Sequence, residues 1–156
     1  METKASQAQR IVNRSAPSAT VVPVLVYENA AKAIDWLCGA FGFTERLRAT
    51  RDGRVIHAQL TVGEGAIMMG AAGSQFRPPR PDEVSQYVIV HVEDANRHFE
   101  QSKTFGARIV QAPADMPFGE RVYTAEDPEG HRWTFSQSIA DVAPEQWGAT
   151  VSAPKR

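Results

Sequence analysis

The chain contains one sequence pattern twice. The segment "YENAAKAIDWLCGAFGF" (Tyr27–Phe43) matches "VEDANRHFEQSKTFGAR" (Val92–Arg108), and Glu28 aligns with Glu93 at an offset of 65 residues. A repeat of this length corresponds to one supersecondary unit that is used twice. The sequence therefore predicts two similar modules.

Each copy places a helix signal after a run of β-forming residues. The runs "TVVPVLVY" and "QYVIVHV" come shortly before Asn29 and Asp94, whose side chains can accept hydrogen bonds from a first helical turn. In the first copy, apolar residues then recur at spacings of three and four, as on one face of a helix. Gly42 and Gly106 suit the left-handed position that ends a helix. Each copy is therefore predicted to begin with a strand and a helix.

Turn signals divide the rest of each copy into short strands. "RDGR" carries the Asp-Gly hairpin signal, "VGEG" supplies the next turn of the first copy, and "DPEG" supplies the matching turn of the second. The pattern of each copy is β-α-β-β-β, which predicts an α+β fold of tandem βαβββ modules.

The motif "DPEGHRW" combines a tight turn with a histidine. Pro128 fixes φ, and Gly130 accepts a positive φ at little cost. His131 leaves the turn on the same side of the strand as Trp133 and Phe135, which we assign to the core. We therefore predict that His131 serves the fold rather than a ligand.

Changes in composition predict the domain boundaries. The connector "GSQFRPPRPDE" is too rich in proline and polar residues for a helix or a central strand. The predicted organisation is a disordered leader (1–19), a first module (20–72), a Pro-rich connector (73–85), a second module (86–138) and a C-terminal arm (139–156).

Charge and cysteine content limit the class of partner. The 17 Lys and Arg residues are balanced by 18 Asp and Glu residues, and no basic stripe of the kind found in nucleic-acid-binding proteins occurs. Cys38 is the only cysteine, so an intramolecular disulfide is excluded, and no apolar run reaches the ~20 residues that span a bilayer. We expect a cytoplasmic protein whose partner is a small molecule or another subunit, without nucleic acid or membrane.

The tandem modules resemble the vicinal oxygen chelate superfamily of glyoxalases, bleomycin resistance proteins and extradiol dioxygenases. The segments that carry the resemblance are "PVLVYENAAKAIDWLCGAFGF", "IHAQLTVGEGAIMMG" and "FGERVYTAEDPEGHRWTFSQ", which look most like the glyoxalase-like or PhnB-like branch. The resemblance implies a curved mixed sheet around a concave pocket. It also implies a homodimer, in which modules can be exchanged between chains.

The resemblance further implies four positions for a divalent metal, on the first and last strands of each module. Here they fall on Val22, Met68 or Met69, Tyr87 and Thr134. Metal-dependent relatives have His, Glu or Gln there, because a divalent ion needs nitrogen or carboxylate ligands. We therefore expect no metal and no other cofactor.

Strand alternation predicts which side chains face the pocket. The alternation also leaves no Asp or Glu on the pocket face that could complete a metal site with two histidines. The predicted ligand-binding residues are His57, Gln59, Tyr87, His91, Arg121, Tyr123, Arg132 and Thr134.

These residues suggest a protein that binds a small organic molecule without a metal. Aromatic faces stack on planar groups, and guanidinium groups recognise carboxylate or phosphate. Two enzymatic alternatives stay open at this stage. One is a metal-dependent glyoxalase-like lyase or extradiol-type dioxygenase; the other is a metal-free acid–base enzyme that uses His57 or His91, the only candidates for a catalytic residue.

Overall fold

A computed structural model describes residues 11–152 of the chain and contains the two predicted modules. The first comprises β1 (Val24–Tyr27), α1 (Ala30–Phe41), β2 (Thr44–Arg51), β3 (Arg54–Val62) and β4 (Gly65–Ala71). The second comprises β5 (Val88–His91), α2 (Ala95–Thr104), β6 (Arg108–Asp115), β7 (Glu120–Glu126) and β8 (Arg132–Ser138). A short 3₁₀ helix (Pro144–Trp147) follows. The tandem βαβββ fold is confirmed.

Parts of the two predicted terminal segments lie outside the described residues, namely 1–10 of the leader and 153–156 of the arm. The domain boundaries themselves stay a prediction. Within residues 11–152, no helix is both long and apolar enough to cross a membrane.

Both modules have the same sheet topology. The strand order is β1-β4-β3-β2 in the first sheet and β5-β8-β7-β6 in the second. In each sheet the first strand of the module pairs in parallel with the last strand, and the other pairings are antiparallel. Each module therefore forms a separate mixed sheet of four strands, and the sheets are not closed into a barrel.

The predicted caps define where both helices begin. Asn29 Oδ1 accepts a hydrogen bond from Lys32 N at 3.1 Å, and Asp94 Oδ1 accepts one from Arg97 N at 2.9 Å. These bonds satisfy N–H groups that have no partner within the helix. Gly42 ends α1 with a φ of 74°, which a residue with a Cβ adopts only at a cost.

One apolar core is shared by the two modules. Phe41 of α1 lies against Phe135 of β8, with 4.7 Å between ring centroids, and against Trp133 at 5.9 Å. Trp133 and Phe135 are fully buried, and complete burial of a side chain of this size contributes about 1.5–3 kcal/mol. Because helix residues of one module cover strand residues of the other, neither module buries its apolar face alone.

Asp127 ties the two modules together within this core. Its Oδ2 accepts hydrogen bonds from the Tyr27 hydroxyl of β1 at 2.6 Å and from Trp133 Nε1 at 3.2 Å. Its Oδ1 accepts the N–H groups of Glu129 and His131, both at 3.1 Å. Burial, together with the Asp127 carboxylate, raises the pKa of Tyr27 well above its ordinary value, so the hydroxyl remains a donor.

The rest of the "DPEGHRW" motif also contacts the first module. His131 Nε2 lies 2.6 Å from the Val26 carbonyl oxygen, and the imidazole packs 4.5 Å from the Tyr27 ring. The Glu129 carboxylate accepts the backbone N–H groups of Glu28 and Asn29, just before α1 begins. The motif is therefore an inter-module joint, and His131 belongs to the fold.

His98 of α2 forms a second polar link in the core. Its Nε2 lies 2.9 Å from the Phe41 carbonyl oxygen, and its Nδ1 contacts the Tyr123 hydroxyl. The imidazole Nε2–H donates to the Phe41 carbonyl, whereas the Tyr123 hydroxyl, which contacts Nδ1, donates to Ser102 Oγ. Burial lowers the pKa of His98 below its ordinary value, against the opposing effect of the hydrogen bond to Phe41.

The substitution Asp127→Asn tests the inter-module joint. An amide offers one acceptor oxygen and turns an NH₂ group towards the remaining donors, so buried N–H or O–H groups lose their partner. We expect the free energy of unfolding, measured by urea denaturation, to fall by about 2–4 kcal/mol. Asp141→Asn changes the same group at an exposed position and serves as the control; an equal loss in both variants would contradict the assignment.

The lowered pKa of His98 predicts a pH dependence of stability. The unfolded chain binds a proton at His98 near pH 6.5, whereas burial lowers the pKa of His98 in the folded state, so acidification favours unfolding. The contribution is complete above about pH 6.5 and decreases as the pH falls towards the folded-state pKa. The free energy of unfolding of wild type and of His98→Gln, measured by urea denaturation at a series of pH values, should diverge below about pH 6.5. The variant should lose less stability on acidification, and an equal loss in both proteins would contradict the prediction.

Candidate functional site

The face of the second sheet opposite the core carries several predicted site residues. Residues that lie opposite each other on neighbouring strands share one face of the sheet. On this face Thr134 of β8 lies between Ile89 of β5 and Thr124 of β7. Ser136 of β8 likewise lies opposite Val122 of β7. We name this surface the second open face. The neighbouring residues of the same strands, such as the buried Trp133 and Phe135, point to the core instead.

A groove of about 350 Å³ lies on the second open face. Its apolar wall includes Tyr87 and Ile89, whose side chains are 56% and 54% exposed, and Phe118, which Trp147 of the C-terminal arm contacts edge-on at 5.7 Å. Its polar floor includes Thr124 and Thr134, whose hydroxyls are 2.8 Å apart. An apolar wall with a few placed polar groups is typical of a small-molecule site.

Arg132 lies at one end of this groove, as predicted. Its Nη2 is 2.7 Å from Glu126 Oε1, and Arg108 Nη1 is 3.1 Å from the other oxygen of the same carboxylate. Within residues 11–152, the buried Arg132 Nε has no hydrogen-bond partner. The groove therefore brings together three predicted residues, namely Tyr87, Arg132 and Thr134.

His91 and Glu120 lie together beside the groove, and Glu120 corrects the sequence analysis. His91 Nδ1 is 3.9 Å from Glu120 Oε1, which also accepts a hydrogen bond from the Ser136 hydroxyl at 2.5 Å. The expectation that no Asp or Glu reaches this face is therefore wrong. Glu120 lies opposite Ser138 and two residues before Val122, so it shares the face of Val122.

The predictions that Tyr123 and Arg121 of β7 face the pocket are also wrong. Tyr123 is fully buried on the core side, where its hydroxyl contacts His98 and lies 3.1 Å from Ser102 Oγ. Arg121 also lies on that side and pairs with Asp115 at 2.7 and 3.1 Å. The alternation was assigned one residue out of phase, because both faces of "ERVYTAE" combine polar and apolar side chains.

His57 and Gln59 lie on the corresponding face of the first sheet, away from the groove. This surface, which we name the first open face, also carries Val24 and Met68, whereas Met69 is buried in the core. Gln59 is 2% exposed, and its Nε2 lies 3.1 Å from His57 Nε2. The structure therefore divides the predicted residues between two faces.

A segment before β1 covers part of the first open face. Gln59 Nε2 donates to the Ser15 carbonyl oxygen at 3.0 Å. Arg46, which the sequence analysis did not identify, donates to Gln59 Oε1 at 2.5 Å and to the Arg14 carbonyl oxygen at 2.6 Å. The Gln59 amide and His57 Nε2 are therefore already engaged. On the second open face, the described part of the C-terminal arm reaches Phe118 through Trp147.

The side chains at the positions implied for a metal do not suit a divalent ion. Two of the implied positions shift by two residues in the structure. On β1 the residue opposite Met68 is Val24, where Val22 was expected. On β5 the residue opposite Thr134 is Ile89, where Tyr87 was expected. Aliphatic groups supply no donor, and a thioether or a neutral hydroxyl is a poor ligand for a hard cation. Across residues 11–152, no group of three or more His, Cys, Asp or Glu side chains is placed to hold an ion.

A larger cavity, of about 760 Å³, lies along the outer surface of α1. Trp36 and Phe105 form its aromatic wall, and it contains none of the predicted site residues. Its buried polar groups serve the fold, since Asp127 binds Tyr27 and the Glu129 carboxylate binds backbone N–H groups. We therefore assign the site to the smaller groove, where polar groups remain available.

Comparison with known proteins identifies the class to which this fold belongs. Residues 19–135 match the model of the Glyoxalase/Bleomycin resistance protein/Dioxygenase superfamily. The match covers most of the chain, so the protein belongs to this superfamily, and the predicted resemblance is confirmed.

The chain is also similar to individual proteins and solved structures. The chain is 29% identical over 138 residues to an uncharacterized protein of Mycobacterium bovis. The aligned region covers 84% of this chain and 91% of that protein. The crystal structure of TioX from Micromonospora sp. ML1 is similar with a TM-score of 0.67 and 36% identity, over 78% of this chain and 100% of that one. The fosfomycin resistance protein FosX from Mesorhizobium loti has a TM-score of 0.55 at 14% identity, over 77% and 92% of the two chains, which shows the shared fold alone.

Proposed function

We propose that the groove of the second open face binds a small, partly planar organic molecule. The observation that carries this proposal is the set of exposed apolar side chains beside the Thr124–Thr134 pair. Tyr87 and Ile89 are each more than half exposed, and exposed apolar patches rimmed by polar groups commonly mark binding surfaces. A flat apolar ligand would cover Ile89, stack on Tyr87 and hydrogen-bond to the threonine hydroxyls.

We further propose that binding requires no metal ion. Val24, Met68, Ile89 and Thr134 supply no imidazole or carboxylate at the strand positions where metal-dependent relatives bind their ion. Sequestration of a ligand needs only surface complementarity, without a reaction. The superfamily includes bleomycin resistance proteins, so ligand sequestration is a function consistent with membership of this superfamily.

A second copy of the chain is the proposed partner that encloses the groove. Tyr87, Ile89 and Val110 remain exposed in one chain, at 56%, 54% and 42%. An apolar face of this kind is stabilised when a symmetric copy covers it. We propose a cytoplasmic homodimer in which the open faces of two chains meet, and light scattering should give twice the chain mass of 17.1 kDa. A monomer at micromolar concentration would contradict this arrangement.

The metal-independent site is tested with the neutral probe 2-naphthylmethanol, titrated by calorimetry into the full chain before and after dialysis against EDTA. We expect the same affinity in both samples. Ile89→Ala should weaken binding by about three- to tenfold, because it removes apolar contact area worth ~1 kcal/mol. The exposed Ile11→Ala variant is the matched control and should bind as the wild type does.

Two results would contradict this function. One is a stoichiometric divalent metal, found by elemental analysis of untreated protein, whose removal abolishes probe binding. The other is equal affinity in the wild type and the Ile89→Ala variant, which would place the probe outside the groove.

A further inference from the structure

Glu120 is the acidic residue that lines the groove, and its hydrogen-bond partners are incomplete. Its carboxylate lies on the second open face, where the side chain is 28% exposed. Oε1 accepts the Ser136 hydroxyl at 2.5 Å and lies 3.9 Å from His91 Nδ1. Among the residues that the structure describes, Oε2 has no hydrogen-bond donor, and no Lys or Arg lies within ion-pair distance of this carboxylate.

The arginines nearest the groove are held by Glu126, which lies at the opposite end of β7 from Glu120. Two guanidinium groups share this one carboxylate, so one positive charge remains in excess at that end. Arg132 and Arg108 both bind the Glu126 carboxylate, at 2.7 and 3.1 Å. Arg121, the arginine of β7, pairs with Asp115 on the core side of the strand. Glu120 is therefore the acid of the groove that a ligand can still neutralise.

The surroundings of Glu120 strengthen its attraction for a cation. Ile89, Val122 and Phe118 line the same groove, and apolar walls lower the local dielectric, so that charges interact more strongly than in water. The exposed ring of Tyr87 presents an aromatic face, which also attracts cations. An anionic group beside Glu120 would meet repulsion from the carboxylate, and Arg132, the arginine of the groove, is held by Glu126 at the opposite end of β7.

From this geometry we infer that Glu120 determines ligand specificity, selecting molecules that carry a protonated amine beside an apolar, planar body. This inference rests on the proposed function and adds the class of ligand. The amine would lie against Glu120 Oε2, and the planar body would lie along Ile89, Tyr87 and Phe118. A charge-assisted hydrogen bond at this position favours the cation over a neutral molecule of the same shape.

The test compares three naphthalene probes of similar size: cationic 2-naphthylmethylamine, neutral 2-naphthylmethanol and anionic 2-naphthoate. Each is titrated into the full chain, and the amide shifts of groove residues are followed by NMR. In the wild type we expect the amine to bind about tenfold tighter than the alcohol, and the carboxylate to bind weakest. In Glu120→Gln the preference for the amine should fall to about twofold or less.

A control variant separates the groove charge from the net charge of the protein. Glu100→Gln removes one carboxylate from the exposed surface of α2 and should keep the full preference for the amine.

The outcomes distinguish this inference from the function on which it rests. If the alcohol binds but the amine shows no advantage in the wild type, or keeps its full advantage in Glu120→Gln, the specificity assigned to Glu120 is wrong and the groove remains a binding site. If none of the three probes binds, the proposed function fails and the specificity fails with it.

Discussion

A core shared between the two modules is the constraint on which the rest of the structure depends. Each sheet has two faces, and the core occupies one face of both sheets through residues such as Phe41, Trp133 and Phe135. The opposite face of each sheet is left uncovered by the core. On the first sheet, part of that face is covered by a segment of the chain before β1, and on the second sheet a groove remains.

The same constraint explains the chemistry of the "DPEGHRW" motif. A core that joins two modules leaves polar groups buried at the junction, and each of them needs a partner. Asp127 accepts four donors there, two from side chains and two from the backbone. Asp127 thereby holds Tyr27 and Trp133 in place, as expected for a motif that serves the fold.

Local signals were sufficient to predict the order of helix and strands within each module. The caps Asn29 and Asp94 and the turn glycines each act on a few neighbouring residues, and the repeat indicates that the same order occurs twice. Strands with one clearly apolar face were also assigned correctly, since Ala58 and Leu60 are buried whereas Ile89 is exposed. These strands placed Thr134 and Tyr87 on the second open face.

The site was predicted only in part, because its remaining features depend on distant contacts. Tyr123 lies in the core because its hydroxyl finds His98 and Ser102 there, 25 and 21 residues away, and no pattern within β7 reveals this. Because the alternation of side chains along β7 was assigned one residue out of register, Glu120 was also placed on the wrong face. The hydrogen bond from Arg46 to the Arg14 carbonyl oxygen joins residues 32 positions apart, so local sequence patterns could not predict it either.

The central claim is that ligand binding takes place on the second open face without a metal. Its most direct test is an NMR map of the amide shifts that 2-naphthylmethanol causes in EDTA-treated protein. The account predicts shifts concentrated at Ile89, Thr124 and Thr134. Shifts concentrated at Trp36 and Phe105, around the larger cavity of α1, or shifts that arise only after a divalent metal is added, would contradict it.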